Sequence, residues 1–342
     1  MGHLLSIDEI ARETQLEESL LRFYESEYPE ELPPKVLKGD ELFFTRQAVE
    51  AFRKIHGRHS GHQPAAHAAA YARVIAVTSG KGGVGKSNLA LNLAIELQRL
   101  GKMSVVLDAD LGLANIHLLA GLDPPANLAA LLAADRSLAE LIVEGPEGIG
   151  IIPGGGGLLE LADSSPYQRL KILQGLHEIE KQAEIIIVDT AAGMNAAVRD
   201  FLQAADELLF VLTPDVTSLA DAYGLLKALH QTNAQLLGAK PVYTVVNMAE
   251  TMRQAADVAL RFTACAQQFL AQEVRNIGYV FRDATVGAAS MQRTPYSVFR
   301  PQARVSRSTR NLAVALLKDE LAELRLNSAF GRYMKMIKAG QR

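Results

Sequence analysis

Residues 80–87 of this 342-residue chain form a glycine-rich loop that ends in a lysine and a hydroxyl residue: Gly80-Lys81-Gly82-Gly83-Val84-Gly85-Lys86-Ser87. Glycine accepts positive φ, so the backbone can turn its N–H groups toward phosphate oxygens. Lys86 is placed to reach the β- and γ-phosphates of a nucleotide, and Ser87 to hold Mg²⁺. The stretch predicts a phosphate-binding loop, completed by the positive end of the helix that follows, beginning with Asn88.

The flanking sequence supports this interpretation over a glycine-rich turn without a ligand. Residues 73–78 are a short β-branched run, typical of a buried parallel strand, and residues 88–97 are apolar at helical spacing. Lys81 is one lysine more than such a loop needs. Because folding back onto its own phosphate is awkward from the loop entrance, this lysine is more useful to a neighbouring subunit.

Two further strands are predicted to end in carboxylates. Residues 105–110 end in Asp108 and Asp110, and residues 185–190 contain Asp189. Acids at the carboxyl ends of parallel strands lie where α/β proteins bind ligands. Asp189 is the expected Mg²⁺ partner, through water, since Mg²⁺ keeps several waters. Asp110 is left to orient an attacking water, and Asp108 to support the loop or the metal. The alternative is that Asp108 and Asp110 cap helices.

Three stretches together resemble the MinD/ParA family of deviant Walker ATPases: the loop with its extra lysine, residues 108–115 and residues 189–193. Residues 142–146, 151–155 and 217–223 resemble its FlhG subgroup of flagellar-number regulators. The resemblance covers about residues 73–320. It implies an α/β fold, with a doubly wound, mostly parallel sheet.

The resemblance also implies a mechanism. Two subunits sandwich two ATP molecules with Mg²⁺, and Lys81 of each subunit reaches the phosphates of the other, as an arginine finger does. Lys86 and Asp110 complete the catalytic set, with Asp110 positioning the water. Ser87, Asp108 and Asp189 are expected at the metal. Hydrolysis is slow, is stimulated by a partner and releases the dimer.

Two more positions are assigned to the nucleotide by resemblance. Asn247 follows a predicted strand, residues 241–246, where the family reads adenine with an asparagine. Asp283 falls in a loop that closes over the nucleoside in the family. The alternative is that both are ordinary loop residues.

Composition indicates a globular chain without export signals. Its apolar fraction is 49%, its net charge is −3, and Cys265 is its only cysteine, so no intrachain disulfide can form. There is no apolar run of 18 residues and no signal peptide at the start. We expect a cytoplasmic protein that associates peripherally with the inner face of the cell membrane, and a cell pole is one place for this association.

The chain divides into four predicted parts: a module over residues 1–60, a linker over 61–72, the ATPase domain over 73–322 and a tail over 323–342. The module resembles small, mainly α, MerR-type helix-turn-helix domains. A capping box at Ser6 and Glu9 starts its first helix, a second helix surrounds Leu20 to Glu25, and a third begins at Phe43. The module holds 8 basic and 12 acidic residues. Because DNA binding favours a basic surface, protein docking and DNA contact both stay open.

The tail and one arginine-rich stretch carry the remaining hypotheses. Apolar and basic residues recur at helical spacing in residues 323–342, as in an interfacial helix drawn to anionic lipid; a terminal helix packed on its own domain is the alternative. Five arginines between residues 293 and 310 have no acid among them, which indicates a DNA-holding surface or a solvated face.

The predicted function is that of an ATP-dependent, dimerising spatial regulator, which controls the placement or number of an assembly such as the polar flagellum. The resemblance implies a protein partner, either a flagellar regulator or an FlhF-like GTPase. The Asp-Gln-Ala-x-x-Leu-Arg segment by which FlhG proteins stimulate FlhF is not found before Arg73. The alternative function is a ParA-like or transcriptional regulator that binds DNA.

Overall fold

A computed structural model of the protein describes residues 4–14, 16, 21, 25, 31–38, 41–59, 71–110, 112, 114–128, 137–155 and 166–318. They form two compact units, one before residue 72 and one from Ala72 onward. The predicted linker up to residue 70, most of the predicted second helix and the whole predicted tail lie outside the described residues.

The N-terminal unit combines helices with a three-stranded antiparallel sheet. Its strands are Leu4–Leu5 (β1), Val36–Lys38 (β2) and Glu41–Thr45 (β3), in the order β1-β3-β2. Its helices are Ile7–Thr14 (α1) and Gln47–His59 (α2). A small apolar core, which includes Ile10, Phe44 and Phe52, holds these elements together.

The predicted start of α1 agrees with the structure, whereas the predicted start of α2 does not. Ser6 and Glu9 form the predicted capping box: the Ser6 N–H donates to Glu9 Oε2 at 2.8 Å, and the Glu9 N–H donates to Ser6 Oγ at 3.3 Å. The prediction of a helix from Phe43 is wrong by four residues. Phe43 and Phe44 lie on β3, where they pair with β2 and β1 respectively. Pairing on both sides of the strand overrides helical propensity there.

The second unit alternates strands and helices. Its strands are Arg73–Thr78 (β4), Ser104–Ala109 (β5), Val143–Glu144 (β6), Gly150–Ile152 (β7), Ile185–Thr190 (β8), Glu207–Leu212 (β9), Val242–Ala249 (β10) and Arg275–Phe281 (β11). Its helices are Lys86–Arg99 (α3), Ile116–Leu119 (α4), Pro166–Ile179 (α5), Ala196–Ala204 (α6), Val216–Thr232 (α7), Ala234–Gly238 (α8), Met252–Leu270 (α9), Thr285–Met291 (α10), Tyr296–Phe299 (α11) and Arg304–Lys318 (α12), with 3₁₀ turns at Leu138–Leu141 and Pro146–Gly148.

These strands form one eight-stranded sheet in the order β11-β10-β9-β4-β8-β5-β7-β6. Every neighbouring pair is parallel except β6 and β7, which are antiparallel. The central strands are buried along their whole length, which explains their continuous apolar sequences. The predicted doubly wound, mostly parallel sheet is confirmed.

Apolar cores cover both faces of the sheet. One contains residues from α5, α6, α7 and α9, and the other contains residues from α3 and α12. Alternate residues of β4 point to opposite faces, since Val74 and Ala76 belong to the first core and Ile75 and Val77 to the second. No helix among the described residues is both long enough and apolar enough to span a bilayer.

The strand register brings the predicted acids to one edge of the sheet. β8 lies between β4 and β5, so that Asp189 is the Cα partner of Val77 on one side and of Asp108 on the other. The loop of residues 80–87 leaves β4 at the same edge. The site residues predicted on three separate segments therefore meet because these three strands are neighbours in the sheet.

Candidate functional site

The loop of residues 80–87 connects β4 to α3. Gly83 and Gly85 have φ values of 77° and 87°, a region that glycine enters without strain. A Cβ on Gly82 or Gly83 would meet nothing within 4 Å, so this part of the loop is open to a ligand. Gly85 is the N-cap of α3, which directs the positive end of the helix at the loop.

The other glycines of the loop are packed tightly. A Cβ on Gly80 would lie 2.0 Å from the carbonyl carbon of Asp221 on α7, and a Cβ on Gly85 would lie 2.5 Å from Nδ2 of Asn247. Val84 between them is buried in the core below the loop. Glycine is therefore required at these two positions because neighbouring atoms occupy the space of a side chain.

Lys86 and Ser87 begin α3, with Asn88 in its first turn. Apolar residues of α3, including Leu89, Leu93 and Leu97, anchor the helix in the core. Lys86 itself is nearly buried. Burial lowers the pKa of its ammonium group, and the charges of Asp189 and Asp110 oppose that shift. Lys86 and the two acids therefore form one electrostatic cluster.

Asp189 is the acidic centre of that cluster. Its side chain is 1% exposed, and neither carboxylate oxygen has a hydrogen-bond partner of normal geometry among the described residues. Burial raises the pKa of Asp189 to about 7, although the nearby Ser87 hydroxyl and Lys86 ammonium lower it. A buried carboxylate without hydrogen-bond partners lowers the stability of the fold, unless a cation or a hydrogen-bond donor binds to it.

Asp108 has a different environment, although it is also buried. Its Oδ2 accepts the backbone N–H groups of Asn115 and Ile116, both at 2.9 Å, at the start of α4. Its Oδ1 accepts the N–H of Asp110 at 3.3 Å. Burial and the charge of Asp189 raise the pKa of Asp108 well above its usual range, against these hydrogen bonds. The geometry favours the capping alternative for Asp108, and metal support by Asp108 stays a prediction.

Asp110 lies at the rim, beyond the end of β5, and is only partly buried. Its charge acts on both Lys86 and Asp189. The structure thus brings together the loop, Lys86, Ser87, Asp110 and Asp189, which were predicted from separate segments of the sequence.

Lys81 points away from this cluster. Its side chain is exposed, and its Nζ donates a hydrogen bond to Oγ1 of Thr217, on the first turn of α7, at 3.0 Å. The Ser79 hydroxyl donates to the Lys81 carbonyl at 2.7 Å and so holds the backbone at the loop entrance. Next to Thr217, Val216 is 79% exposed. This rim carries a cation and an apolar side chain that a second molecule can reach.

Asn247 contacts the phosphate loop directly. Its Nδ2 donates to the carbonyl of Val84 at 2.7 Å, while its Oδ1 accepts the N–H of Met248 at 2.9 Å. Met248 has a φ of 57°, unusual for a residue with a side chain, and this turn places Asn247 beneath the loop. Asn247 therefore supports the loop from below, and adenine recognition by its amide stays a prediction.

Asp283 organises the segment after β11. Its Oδ1 accepts the N–H of Thr285 at 2.9 Å, and its Oδ2 accepts the N–H of Val305, in the first turn of α12, at 3.3 Å. Partial burial raises the pKa of Asp283, but hydrogen bonds from Thr285, Val305 and Arg304 outweigh this and hold it below the usual range. Asp283 thus joins the starts of α10 and α12. Contact with a nucleoside stays a prediction.

The arginine stretch is not one continuous cationic surface. Arg293 pairs with Asp123 at 2.7 Å, and Arg310 pairs with the buried Glu96 at 2.8 Å. Arg300 lies over the ring of Phe299, and Arg304 lies over the ring of Phe281. Two of the five charges are therefore neutralised by acids that are distant in sequence.

Sequence reasoning did not assign Thr217 and Asp221 to the site. Both fall in residues 217–223, which were singled out for resemblance without a role. The structure packs this segment against the loop entrance through Gly80 and Lys81. A hydroxyl and a small-residue pattern give no signal of this contact, because only the fold brings α7 next to the loop.

Comparison with known proteins gives two family matches. The AAA domain family matches residues 72–239, and the MerR HTH family regulatory protein matches residues 5–60. The second match covers most of the N-terminal unit, and the first includes β4, the loop, β5 and β8.

Individual proteins are similar over two thirds of the chain or more. The chain is 36% identical over 235 residues to the antiactivator FleN of Pseudomonas aeruginosa, covering 68% of this chain and 82% of FleN. It is 29% identical to the flagellum site-determining protein YlxH of Helicobacter pylori, covering 78% of this chain and 90% of YlxH. The crystal structure of the cell division ATPase MinD of Pyrococcus furiosus matches with a TM-score of 0.60 at 20% identity, covering 72% and 98% of the two chains.

Proposed function

This chain belongs to the MinD/ParA family of ATPases, which use ATP and Mg²⁺, and on that premise we propose that it is a dimerising spatial regulator. It controls the placement or number of a cellular assembly, and the polar flagellum is the assembly we propose. The similarity to FleN, an antiactivator, and to YlxH, a flagellum site-determining protein, supports the flagellar role.

The residues of the site fit a magnesium-bound nucleotide. Gly82 and Gly83 leave the loop open, Lys86 faces the acidic cluster, and the oxygens of Asp189, close to Ser87, lack hydrogen-bond partners among the described residues. We assign the phosphates to the loop amides and Lys86, and the cation to Ser87 and Asp189. Mg²⁺, when bound, neutralises phosphate charge and fixes the orientation of the γ-phosphate.

Asp110 positions the attacking water in this proposal. It stands at the edge of the acidic cluster and is only partly buried, so a water can reach it. Asp108 holds the turn that carries Asp110, since its Oδ1 accepts the Asp110 N–H. Positioning a water by a fixed carboxylate lowers the entropic part of the barrier.

Lys81 serves the second subunit. The observation that carries this proposal is its place at the exposed rim, where it contacts Thr217 rather than the acidic cluster of its own chain. Leaving this contact lets the ammonium group reach the phosphates bound by a partner and stabilise charge that develops during transfer. Hydrolysis of ATP then removes this phosphate contact between the two subunits, and they separate.

A mixing experiment tests the shared site. Lys81→Ala and Asp110→Ala proteins are each expected to hydrolyse ATP poorly. In a mixed dimer, one site combines the intact Asp110 of one chain with the intact Lys81 of the other. Mixing the two proteins should therefore restore part of the activity. If the mixture stays as inactive as its components while both variants still bind ATP, Lys81 acts within its own chain and the proposal fails.

The match of residues 5–60 to the MerR HTH family favours a second candidate function, DNA-binding regulation. The net charge of about −4 in residues 1–60 opposes it, because phosphate contacts dominate DNA affinity. Retention on duplex DNA that falls steeply with salt, and that is lost when residues 1–60 are removed, would establish this function. Retention on a flagellar regulator instead would identify the module as a protein-docking domain.

A further inference from the structure

A groove of about 540 Å³ lies in the second unit, between β11 and α12. The wall from β11 includes Ile277, Gly278, Tyr279 and Phe281, and the wall from α12 includes Arg304 and Arg307. The side chains that line the groove include no aspartate or glutamate. The groove therefore joins an apolar wall to a cationic one.

In the cationic wall, an aromatic ring holds Arg304 in place, whereas the charge of Arg307 has no partner among the described residues. The guanidinium of Arg304 lies 3.9 Å from the centroid of the Phe281 ring, and the Phe281 ring meets the Tyr279 ring edge-on at 5.1 Å. Arg307, one turn further along α12, is exposed, and its guanidinium group makes no hydrogen bond or ion pair within the described part of the chain. Arg310 is already neutralised by Glu96. Arg304 and Arg307 thus present two guanidinium groups that have no carboxylate partner among the residues the structure describes.

The apolar wall is also the edge of the sheet. β11 is bonded to β10 on one side, and no described strand lies on its other side. Ile277 is an extra residue opposite β10, since Asn276 pairs with Thr244 and Gly278 with Val245. This bulge interrupts the pairing with β10, which resumes at Gly278 and shifts again before Phe281, so the outer edge beyond the bulge is the short run from Gly278 to Phe281.

Gly278 shows that the groove is built by close packing of α12 on this edge. Its φ is 140°, and a Cβ there would lie 2.8 Å from Cδ2 of Leu312 on α12. The absence of a side chain at Gly278 lets α12 approach the strand. The two walls of the groove are consequently held at a fixed separation by the core of the second unit.

We propose that this groove binds a short, extended, acidic segment of a partner protein. Arg304 and Arg307 would receive its carboxylates, Tyr279 and Phe281 would contact its apolar side chains, and the backbone on the outer side of residues 279–281 would pair with its backbone. The open strand edge favours a peptide over DNA or a lipid head group, because neither of those offers a backbone that can extend a sheet. The proposal does not rest on the nucleotide-dependent function.

Fluorescence anisotropy with the full chain tests the proposal. The probe is a fluorescein-labelled peptide of alternating Glu and Val, and the comparison peptides carry Lys in place of Glu, or N-methyl groups on alternate residues. We expect the acidic peptide to bind, and both comparison peptides to bind at least about tenfold more weakly. Equal binding of the N-methylated peptide would show that no strand pairing occurs and would overturn the proposal.

Two charge reversals localise the binding. Arg307→Glu should weaken the acidic peptide by about tenfold or more. Arg253→Glu is the matched control, because Arg253 is also exposed but lies on α9, which packs on the opposite face of the sheet. Equal loss in both variants, no binding by the unmodified chain, or an Arg307-dependent preference for duplex DNA or anionic vesicles over the peptide would each overturn the proposal.

Discussion

Asp108 and Asp189 are partners across β5 and β8, and both carboxyl groups are buried. Each has a raised pKa, so at neutral pH the folded chain without ligand binds more protons than the unfolded chain. A raised folded-state pKa contributes stability that is fully present below the unfolded pKa and is lost as pH rises through the folded pKa. For Asp189 this loss begins as pH rises above the ordinary pKa of 3.8 and is complete just above about pH 7.

We therefore expect the nucleotide-free protein to be less stable at pH 8 than at pH 6, with Asp189 contributing on the order of 1 kcal/mol of the difference. Urea unfolding at both pH values measures it. The Asp189→Asn variant removes the titrating group, and its pH dependence should be smaller by that amount. An unchanged pH dependence in the variant would mean that Asp189 is already ionised in the ligand-free protein.

Asn247 can be tested as a support of the phosphate loop rather than as a reader of adenine alone. Asn247→Ala removes the donor to the Val84 carbonyl. Because that carbonyl is then left without its hydrogen bond, we expect about tenfold weaker binding of ATP. Inorganic tripolyphosphate, which has no base, should lose affinity to a similar extent in calorimetric titrations.

The control is Asn311→Ala, which truncates an exposed asparagine on α12 and should leave both affinities unchanged. Loss of ATP binding with normal tripolyphosphate binding would assign Asn247 to the base only.

At the scale of elements, a buried ion pair joins β4 to β9. Arg73 donates from Nε and Nη2 to the two carboxylate oxygens of Glu207 at 2.8 and 2.6 Å, and from Nη1 to the Leu316 carbonyl of α12 at 2.8 Å. Both side chains are almost fully buried. One guanidinium group thus ties together two central strands and the last described helix.

Removing one partner should be far more harmful than removing both. Glu207→Ala removes the carboxylate that accepts two hydrogen bonds from the buried Arg73 guanidinium, and we expect a loss of about 3–5 kcal/mol of unfolding free energy. The double variant Arg73→Met and Glu207→Met keeps the volume without charge, and it should recover most of that loss. Urea unfolding compares the variants, and a double variant as unstable as Glu207→Ala would contradict this explanation.

At the scale of the whole molecule, the tail hypothesis concerns residues 323–342, which lie outside the described part. One interfacial helix binds a membrane weakly, whereas two helices in one dimer bind through avidity. We expect the full chain to sediment with anionic liposomes in ATP but not in ADP, and a chain ending at residue 322 to stay in the supernatant in both.

The Asp110→Ala variant, which we expect to hold the ATP state, should sediment at least as well as the unmodified chain. Sedimentation that is independent of nucleotide would remove the link to dimerisation, and the absence of sedimentation in every state would rule out membrane attachment by the tail.

Local sequence patterns were sufficient to predict the parts of the molecule that depend on interactions within a short segment. The glycines and lysine of residues 80–87 predict a phosphate loop, because the required backbone angles and hydrogen bonds lie within the loop itself. Apolar runs such as residues 185–188 predict buried strands, and Ser6 with Glu9 predicts a capping box that the structure contains. The family was also recognisable from these motifs, and the 36% identity to FleN confirms that recognition.

Only the tertiary structure decided which distant groups meet. Sequence left Asp108 between metal support and capping, and the fold placed its carboxylate on the amides of Asn115 and Ile116. In the sequence the five arginines form one stretch, but in the fold Arg310 forms an ion pair with Glu96 and Arg293 forms one with Asp123. The physical reason is that these contacts depend on the strand order and on helix packing. Both result from many weak interactions over the whole domain, so no short segment of sequence predicts them.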